Sequence, residues 1–189
     1  MEGCMGRELE YKFRLTDAGY DCLRREFGPL AETRMETAYY DTPSRELGAA
    51  GVTLRRRLEN GESIVTLKTR LPDGSRGEWE TEAPTVQAGL PALTAQGAPV
   101  PGVEGLTKIC SARFTRLSRL LTYPGGAAEL ALDKGVLAGK TEEVPLLEAE
   151  LELKEGPDKP FGDFVRGFAA KYCLTEEPKS KFARAKELR

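Results

Sequence analysis

R-E-L-E-Y-K-F-R, residues Arg7 to Arg14, alternates without a break. Glu8, Glu10, Lys12 and Arg14 are charged, while Leu9, Tyr11 and Phe13 between them are apolar. That period belongs to a strand with one oily face and one ionised face. Which way the ionised face looks decides the fold, and other segments raise the same question. Arg55 and Arg57 share a face, as do Lys68 and Arg70; Arg76, Glu78, Glu80 and Glu82 share another, opposite Trp79. Glu129, Ala131 and Asp133 alternate with Leu130 and Leu132, and Glu148, Glu150, Glu152 and Lys154 lie opposite Ala149, Leu151 and Leu153.

An open sheet with helices on its oily face and water on its charged face would give this alternation on any single strand. Taken together, the strands argue for more. Arg55, Arg57, Lys68 and Arg70 gather base, whereas Glu148, Glu150 and Glu152 gather acid. Acids at i and i+2 stand roughly 7 Å apart on one face and repel unless a cation joins them. A sheet closed into a barrel with its charged face inward would give both sets a use. Acid-x-acid pairs offer hard oxygen ligands for Mg²⁺ or Mn²⁺. Arginine and lysine suit a partner rich in anionic oxygens, arginine through its bidentate fork. Such a lumen recognises a metal-bound polyanion, and a polyphosphate chain meets that description.

Turn chemistry separates the strands. Asn60-Gly61 joins Val52–Glu59 to Glu62–Arg70, a strong hairpin signal. Pro72-Asp73-Gly74 leads into Arg76–Glu82, Pro124-Gly125-Gly126 joins a third hairpin, and a late strand covers Glu148–Lys154. Helices are fewer. Thr16 or Asp17 caps a segment that ends at Gly28-Pro29, and Pro160 opens another whose Phe161, Phe164, Val165, Phe168 and Tyr172 form one apolar stripe. A short helix is expected near Lys179–Lys186, and a loop with a short helix over Thr85–Gly105. Tyr39-Tyr40-Asp41-Thr42 reads as a structural turn. Arg113 and Arg119 have the opposite parity to Arg116 and are expected outside if Arg116 faces in.

Composition narrows the chemistry. The chain has 189 residues, 40% hydrophobic and 31% charged, as expected for one folded domain over 1–189. It contains no histidine, which excludes histidine triads and histidine-ligated zinc. A net charge of -2 argues against bulk nucleic-acid binding. No apolar run approaches the roughly 20 residues that cross a bilayer. The start, M-E-G-C-M-G-R-E, lacks a signal-peptide layout, so a cytoplasmic location is expected. Cys4, Cys22, Cys110 and Cys173 form no CxxC pair and read as reduced thiols, with Cys22 and Cys110 in the core.

An ordered set of motifs resembles the CYTH superfamily, the triphosphate tunnel metalloenzymes. It runs through E-L-E-Y-K (Glu8–Lys12), Y-Y-D-T-P (Tyr39–Pro43), G-V-T-L-R-R-R (Gly51–Arg57), T-L-K (Thr66–Lys68) and R-G-E-W-E (Arg76–Glu80). F-T-R (Phe114–Arg116), A-L-D (Ala131–Asp133), E-A-E-L-E-L (Glu148–Leu153) and Ser180-Lys181 follow in order. The resemblance implies an α+β fold: an eight-stranded antiparallel closed barrel with a charged lumen and helices packed outside. It also implies metal-binding acids at Glu8, Glu10, Glu150 and Glu152, with Glu148 a further candidate. Lys12, Arg55, Arg57, Lys68, Arg116 and Lys181 resemble the phosphate-binding set; Arg76 with Glu78 or Glu80 resembles further tunnel charges. Asp133 is expected to orient a base or join a metal's shell.

The implied activity is Mg²⁺- or Mn²⁺-dependent hydrolysis of a small-molecule triphosphate, by a monomer or homodimer without nucleic-acid or membrane partners. Glu8, Glu10, Lys12, Glu150 and Glu152 are its expected catalytic set. Inorganic triphosphate comes first among substrates, because the charged face shows no cluster of aromatics. Thiamine triphosphate and a class IV adenylate cyclase reaction on ATP are the alternatives, and a non-catalytic polyphosphate- or nucleotide-binding module is the reading of another class.

Overall fold

The computed structural model describes residues 9–70, 76–100, 102 and 104–189. Cys4, Glu8, the Pro72-Asp73-Gly74 turn and the side chain of Arg76 lie outside the described residues. The strands are β1 (Glu10–Arg14), β2 (Ala31–Asp41), β3 (Thr53–Glu59), β4 (Glu62–Arg70), β5 (Arg76–Glu82), β6 (Thr107–Tyr123), β7 (Gly126–Ala138), β8 (Glu143–Glu155) and β9 (Thr175–Glu176). The helices are α1 (Asp17–Phe27), α2 (Glu46–Ala49), α3 (Val86–Ala95), α4 (Asp158–Lys171) and α5 (Lys181–Ala185).

All nine strands belong to one sheet, in the order β5-β4-β3-β2-β6-β7-β8-β1-β9. The expected closed eight-stranded barrel is therefore corrected in two respects. A ninth strand exists, and no ladder joins β5 to β1 among the described residues. The reason lies at β1: its second edge is taken by β9, through Phe13↔Glu176 and Arg14↔Thr175. Beyond β9 the chain continues the same edge, with Glu177 N donating to Lys12 O at 2.7 Å.

Hairpins set the register. Asn60 (φ 50°) and Gly61 (φ 97°) both turn left-handed, the backbone a two-residue primed turn requires, so Glu59 pairs with Glu62 and Arg55 with Thr66. Pro124-Gly125 makes the β6–β7 turn, with Gly125 at φ 105°. Thr16 caps α1 by accepting from Gly19 N at 3.1 Å. α4 begins two residues before Pro160, with Pro157 at its N-cap.

Two apolar clusters cover the outer face of the sheet. α1 and α4 pack Leu23, Phe161, Val165 and Phe168 against Phe13, Leu130, Leu132 and Leu151. α3 places Val86 and Leu93 against Leu54, Val65 and Leu67, with Trp79 on the rim of that cluster, as its parity predicts. The third cluster corrects the expectation that every helix packs outside. Met35, Cys110, Ala112 and Phe114 share the parity of Arg116, and α5 buries Ala185 against them. α5 therefore sits on the inner, concave face. Cys110 is buried as expected, but Cys22 is exposed, because it sits on the side of α1 away from the sheet.

Tyr39 to Asp41 end β2 rather than forming a turn, and Asp41 builds the turn that follows. Its buried carboxylate accepts from Thr42 N at 2.8 Å, Leu47 N at 2.9 Å and Gly48 N at 3.1 Å, and so nucleates α2.

Candidate functional site

The ionised faces meet around one cavity of about 1100 Å³. Glu10 and Lys12 of β1 line it together with Glu78 and Glu80 of β5, although no ladder joins those strands among the described residues. Of the other expected site residues, Arg55, Arg57, Lys68, Arg116, Glu150, Glu152 and Lys181 also line it. Asp133 and Glu148 lie behind the wall, each with its side chain 0% exposed.

Strand pairing puts acids in rows. Glu10 pairs with Glu152, and Glu152 with Glu129 on its other side. One of these three adjacent carboxylates, Glu129, was not singled out from the sequence as a site residue. Its signal was shared parity with Asp133, visible but weak in an A-A-E-L-A-L-D segment. Two lysines temper the row: Lys12 Nζ lies 2.8 Å from Glu10, and Lys154 Nζ lies 2.8 Å from Glu152 and 3.9 Å from Glu129.

A second acidic group forms where Arg14↔Glu148 and Glu148↔Asp133 pairings bring Asp133 beside Glu148 and Glu150. Their oxygens lie within 4.8 Å of one another, close enough for a metal ion. Three cations already hold them. Arg116 grips Asp133 with both arms of its fork, Nε–Oδ1 and Nη2–Oδ2 each at 2.8 Å, and also bonds Glu150. Lys181 Nζ lies 2.7 Å from Asp133, 2.7 Å from Glu150, and against Glu148. Arg184 pairs with the other oxygen of Glu148. Arg184 escaped the sequence reading; its signal was a spacing of three from Lys181, which puts both on one side of a helix.

This geometry moves the protonation equilibria. Burial works against charge on Glu150, but Lys181 and Arg116 outweigh it and hold the carboxyl well below the usual carboxylate range. Burial likewise opposes the Lys181 ammonium, and Glu150, Asp133 and Glu148 overcome it, so its pKa is raised. Glu148 goes the other way: burial pushes it up, Glu150 adds to the push, and Lys181 and Arg184 resist.

Across the cavity, Lys68 Nζ sits 2.9 Å from Glu78, while Arg55 lies 3.4 Å from Glu78 and 3.6 Å from Glu80. Arg57 contacts Glu59 at 2.6 Å and Glu80 at 3.9 Å. Burial and the neighbouring Arg55 lower the Arg57 pKa. Arg55 Nε is buried and donates to no acceptor among the described residues. Arg113 and Arg119 are exposed on the outside, as their parity predicts; Arg113 pairs with Glu143, and Arg119 donates to Phe27 O at 2.9 Å.

A curled antiparallel sheet thus sets arginines and lysines opposite a row of carboxylates around one cavity. The CYTH domain model matches residues 6–185, and the chain belongs to that family. It is 31% identical over 134 residues to an inorganic triphosphatase of Haemophilus influenzae, spanning 67% of this chain and 38% of that protein. It is also 26% identical over 121 residues to a DNA ligase of Geobacter metallireducens, spanning 64% of this chain and 16% of that protein. The chain thus spans well under half the length of these curated relatives. Among solved structures, HpAC1 from Hippeastrum, described as having a dominant triphosphatase activity, superposes with a TM-score of 0.66 at 19% identity, covering 95% of both chains. The PH1819 protein of Pyrococcus horikoshii superposes at 0.65 with 20% identity, covering 96% of this chain and 99% of that one. At such identities these neighbours define the shared fold.

Proposed function

We propose that this domain hydrolyses a triphosphate in a divalent-metal-dependent reaction, with inorganic triphosphate giving pyrophosphate and phosphate as the foremost substrate. The carrying observation is that cations from β1, β3, β4, β6 and α5 face the same cavity as the Glu10–Glu152–Glu129 row. Lys12, Arg55, Arg57, Lys68, Arg116 and Lys181 each rest on a carboxylate, and Arg55 Nε is a buried donor that a phosphate oxygen would satisfy.

The donor set fits a hard cation. Glu10 and Glu152 each keep 27% of the side chain exposed, offer only oxygen, and share the wall with Glu129. Glu8, one strand repeat from Glu10, would add a fourth carboxylate by sequence parity. When bound there, Mg²⁺ or Mn²⁺ supplies Lewis-acid polarisation of a phosphoryl oxygen and a lowered pKa for water. The chain's own residues do the rest. Arg55, Arg57 and Lys68 take oxygens of one end of the triphosphate, and Lys12, Arg116 and Lys181 those of the other. Because these cations are held by carboxylates beforehand, little rearrangement is needed as charge grows on the leaving pyrophosphate. Glu78 and Glu80 hold the β3 and β4 bases in place, and Arg76 stands at the start of the same strand. Glu150 takes Arg116 on one oxygen and Lys181 on the other, which holds both cations together on the wall.

The aromatic rings on the wall favour an inorganic chain over an organic triphosphate. Phe182 packs on Tyr39 with centroids 4.8 Å apart, and Lys181 lies over Phe114 at 5.0 Å. These faces are covered, and Trp79, which packs on the outer cluster from β5, is the remaining aromatic on the wall. A phosphate-release panel with triphosphate, thiamine triphosphate and ATP, each with Mg²⁺ and Mn²⁺ and a cyclic-AMP readout on ATP, tests this. Metal-dependent release fastest from triphosphate is expected. Cyclic AMP as the main product would replace hydrolysis with cyclisation, and tight triphosphate binding without release would make the domain a binding module.

A further inference from the structure

Lys181 and Arg184 are the two cations of α5, a helix of five residues that has little stability of its own. A lysine ammonium on a flexible four-carbon stem makes a poorly placed phosphate ligand unless something fixes it. Glu148 meets both groups: Lys181 Nζ contacts its Oε1, and Arg184 Nη2 its Oε2. Glu148 is 0% exposed and absent from the cavity wall, whereas its neighbour on the same face, Glu150, lines it. Glu148 therefore touches neither a triphosphate in the cavity nor a metal held by Glu10 and Glu152. Its place is the one expected of an anchor.

We propose that Glu148 and Arg184 are positioning residues, which clamp α5 to the inner face of the sheet and so set the Lys181 ammonium on the wall for a phosphate oxygen. The proposal rests on the triphosphatase reading above. It also gives Glu148 a different part from the metal ligand that family resemblance suggests. In the acidic group formed with Asp133 and Glu150, the position between the carboxylates is filled by Lys181 Nζ itself, 2.7 Å from each of those two partners. The clamp accounts for Arg184, which lies on the far side of Glu148 and also reaches Glu177 at 3.9 Å.

Steady-state kinetics on triphosphate, with melting temperatures, would compare the full chain with Arg184→Met, Arg184→Lys, Glu148→Gln, Lys181→Met and the Lys181→Met/Arg184→Met double variant. One charge-assisted phosphate contact corresponds to about a tenfold change in affinity. Arg184→Met is expected to raise KM about tenfold with kcat held within about threefold. Arg184→Lys should recover most of that loss, and Lys181→Met should match it. In the Lys181→Met background, Arg184→Met should add nothing to KM, since it acts through the lysine. Multiplying effects in the double variant would overturn the proposal, as would a lowered melting temperature with unchanged KM. So would a Glu148→Gln variant that needs more Mg²⁺ at unaltered KM for triphosphate, the signature of a lost metal ligand. Should the wild type release no phosphate, the activity reading has failed on its own, and calorimetric Kd values for triphosphate make the same comparisons.

Discussion

Asp133 supports the cavity wall from behind, through two of its cations. It is fully buried, takes both arms of Arg116 at 2.8 Å, and holds Lys181 at 2.7 Å. Removing one charge from a buried cluster leaves the rest uncompensated, typically at about 3–5 kcal/mol. Asp133→Asn is expected to lower the denaturation midpoint accordingly, with an unchanged slope. Glu10 and Glu152 should behave in the opposite way. Their lysine pairs are partly exposed and screened, so Glu10→Gln or Glu152→Gln should shift stability by no more than about 1 kcal/mol. Metal-dependent phosphate release should nevertheless fall by more than about 100-fold, the scale of losing a few kcal/mol of charge stabilisation. Melting curves beside the release assay separate the two classes, and a Glu10→Gln enzyme with normal turnover would remove that residue from the metal site.

Elements built on strict alternation were legible before any coordinates. β1, β3, β4 and β8 read directly from their period, and Asn60-Gly61 fixed the register that puts Arg55 and Arg57 on the wall. Parity also placed Arg113 and Arg119 on the correct side, and Trp79 packs on the outer cluster while also reaching the cavity wall. What escaped depends on partners far away in sequence. β2 reads A-E-T-R-M-E-T-A-Y-Y-D; burial alternates at Met35, Thr37, Tyr39 and Asp41, but Thr37 and Asp41 are polar, so the sequence hides the period. β9 has two residues, too few for a period, and exists because β1 has a free edge. α5 carries Phe182 and Ala185 like any surface helix, and only the apolar patch of Met35, Cys110 and Phe114 draws it inside. α3 was blurred by Pro91 and Gly89, yet Gly89 is what lets it dock. A Cβ there would lie 2.9 Å from Val65 Cβ and 3.1 Å from both its γ-carbons, on a side chain that is 0% exposed. Gly89→Ala should therefore destabilise by about 1–3 kcal/mol despite the better helix propensity of alanine. A thermal melt checks this, and a stabilised variant would show that α3 can move off β4.

At the scale of the molecule, no hydrogen-bond ladder joins β5 to β1 among the described residues, and ion pairs are packed into each wall of the cavity that the sheet curls around. Such an arrangement should be sensitive to acid, and Glu150 makes the effect testable. Its folded pKa lies below the ordinary 4.5, because Lys181 and Arg116 outweigh the effect of burial. An unfolded chain binds a proton at this carboxyl near 4.5, while the folded chain resists until lower pH. Between those limits the unfolded state holds more protons, so stability rises with pH there. The contribution is fully present above about 4.5 and is lost as pH falls through the folded value. Glu80 and Glu177, also lowered, add to this trend, whereas Glu148, raised by burial, opposes it. Replacing Glu150 by Gln removes one titrating group from the trend. Melting temperatures between pH 6 and pH 3 are therefore expected to fall more steeply for the wild type than for Glu150→Gln, with the variant starting lower at pH 6 and the gap narrowing below about pH 4.5. Parallel curves would mean that Glu150 gains nothing from Lys181 and Arg116 on folding, and that the two cations reach the wall by some other support.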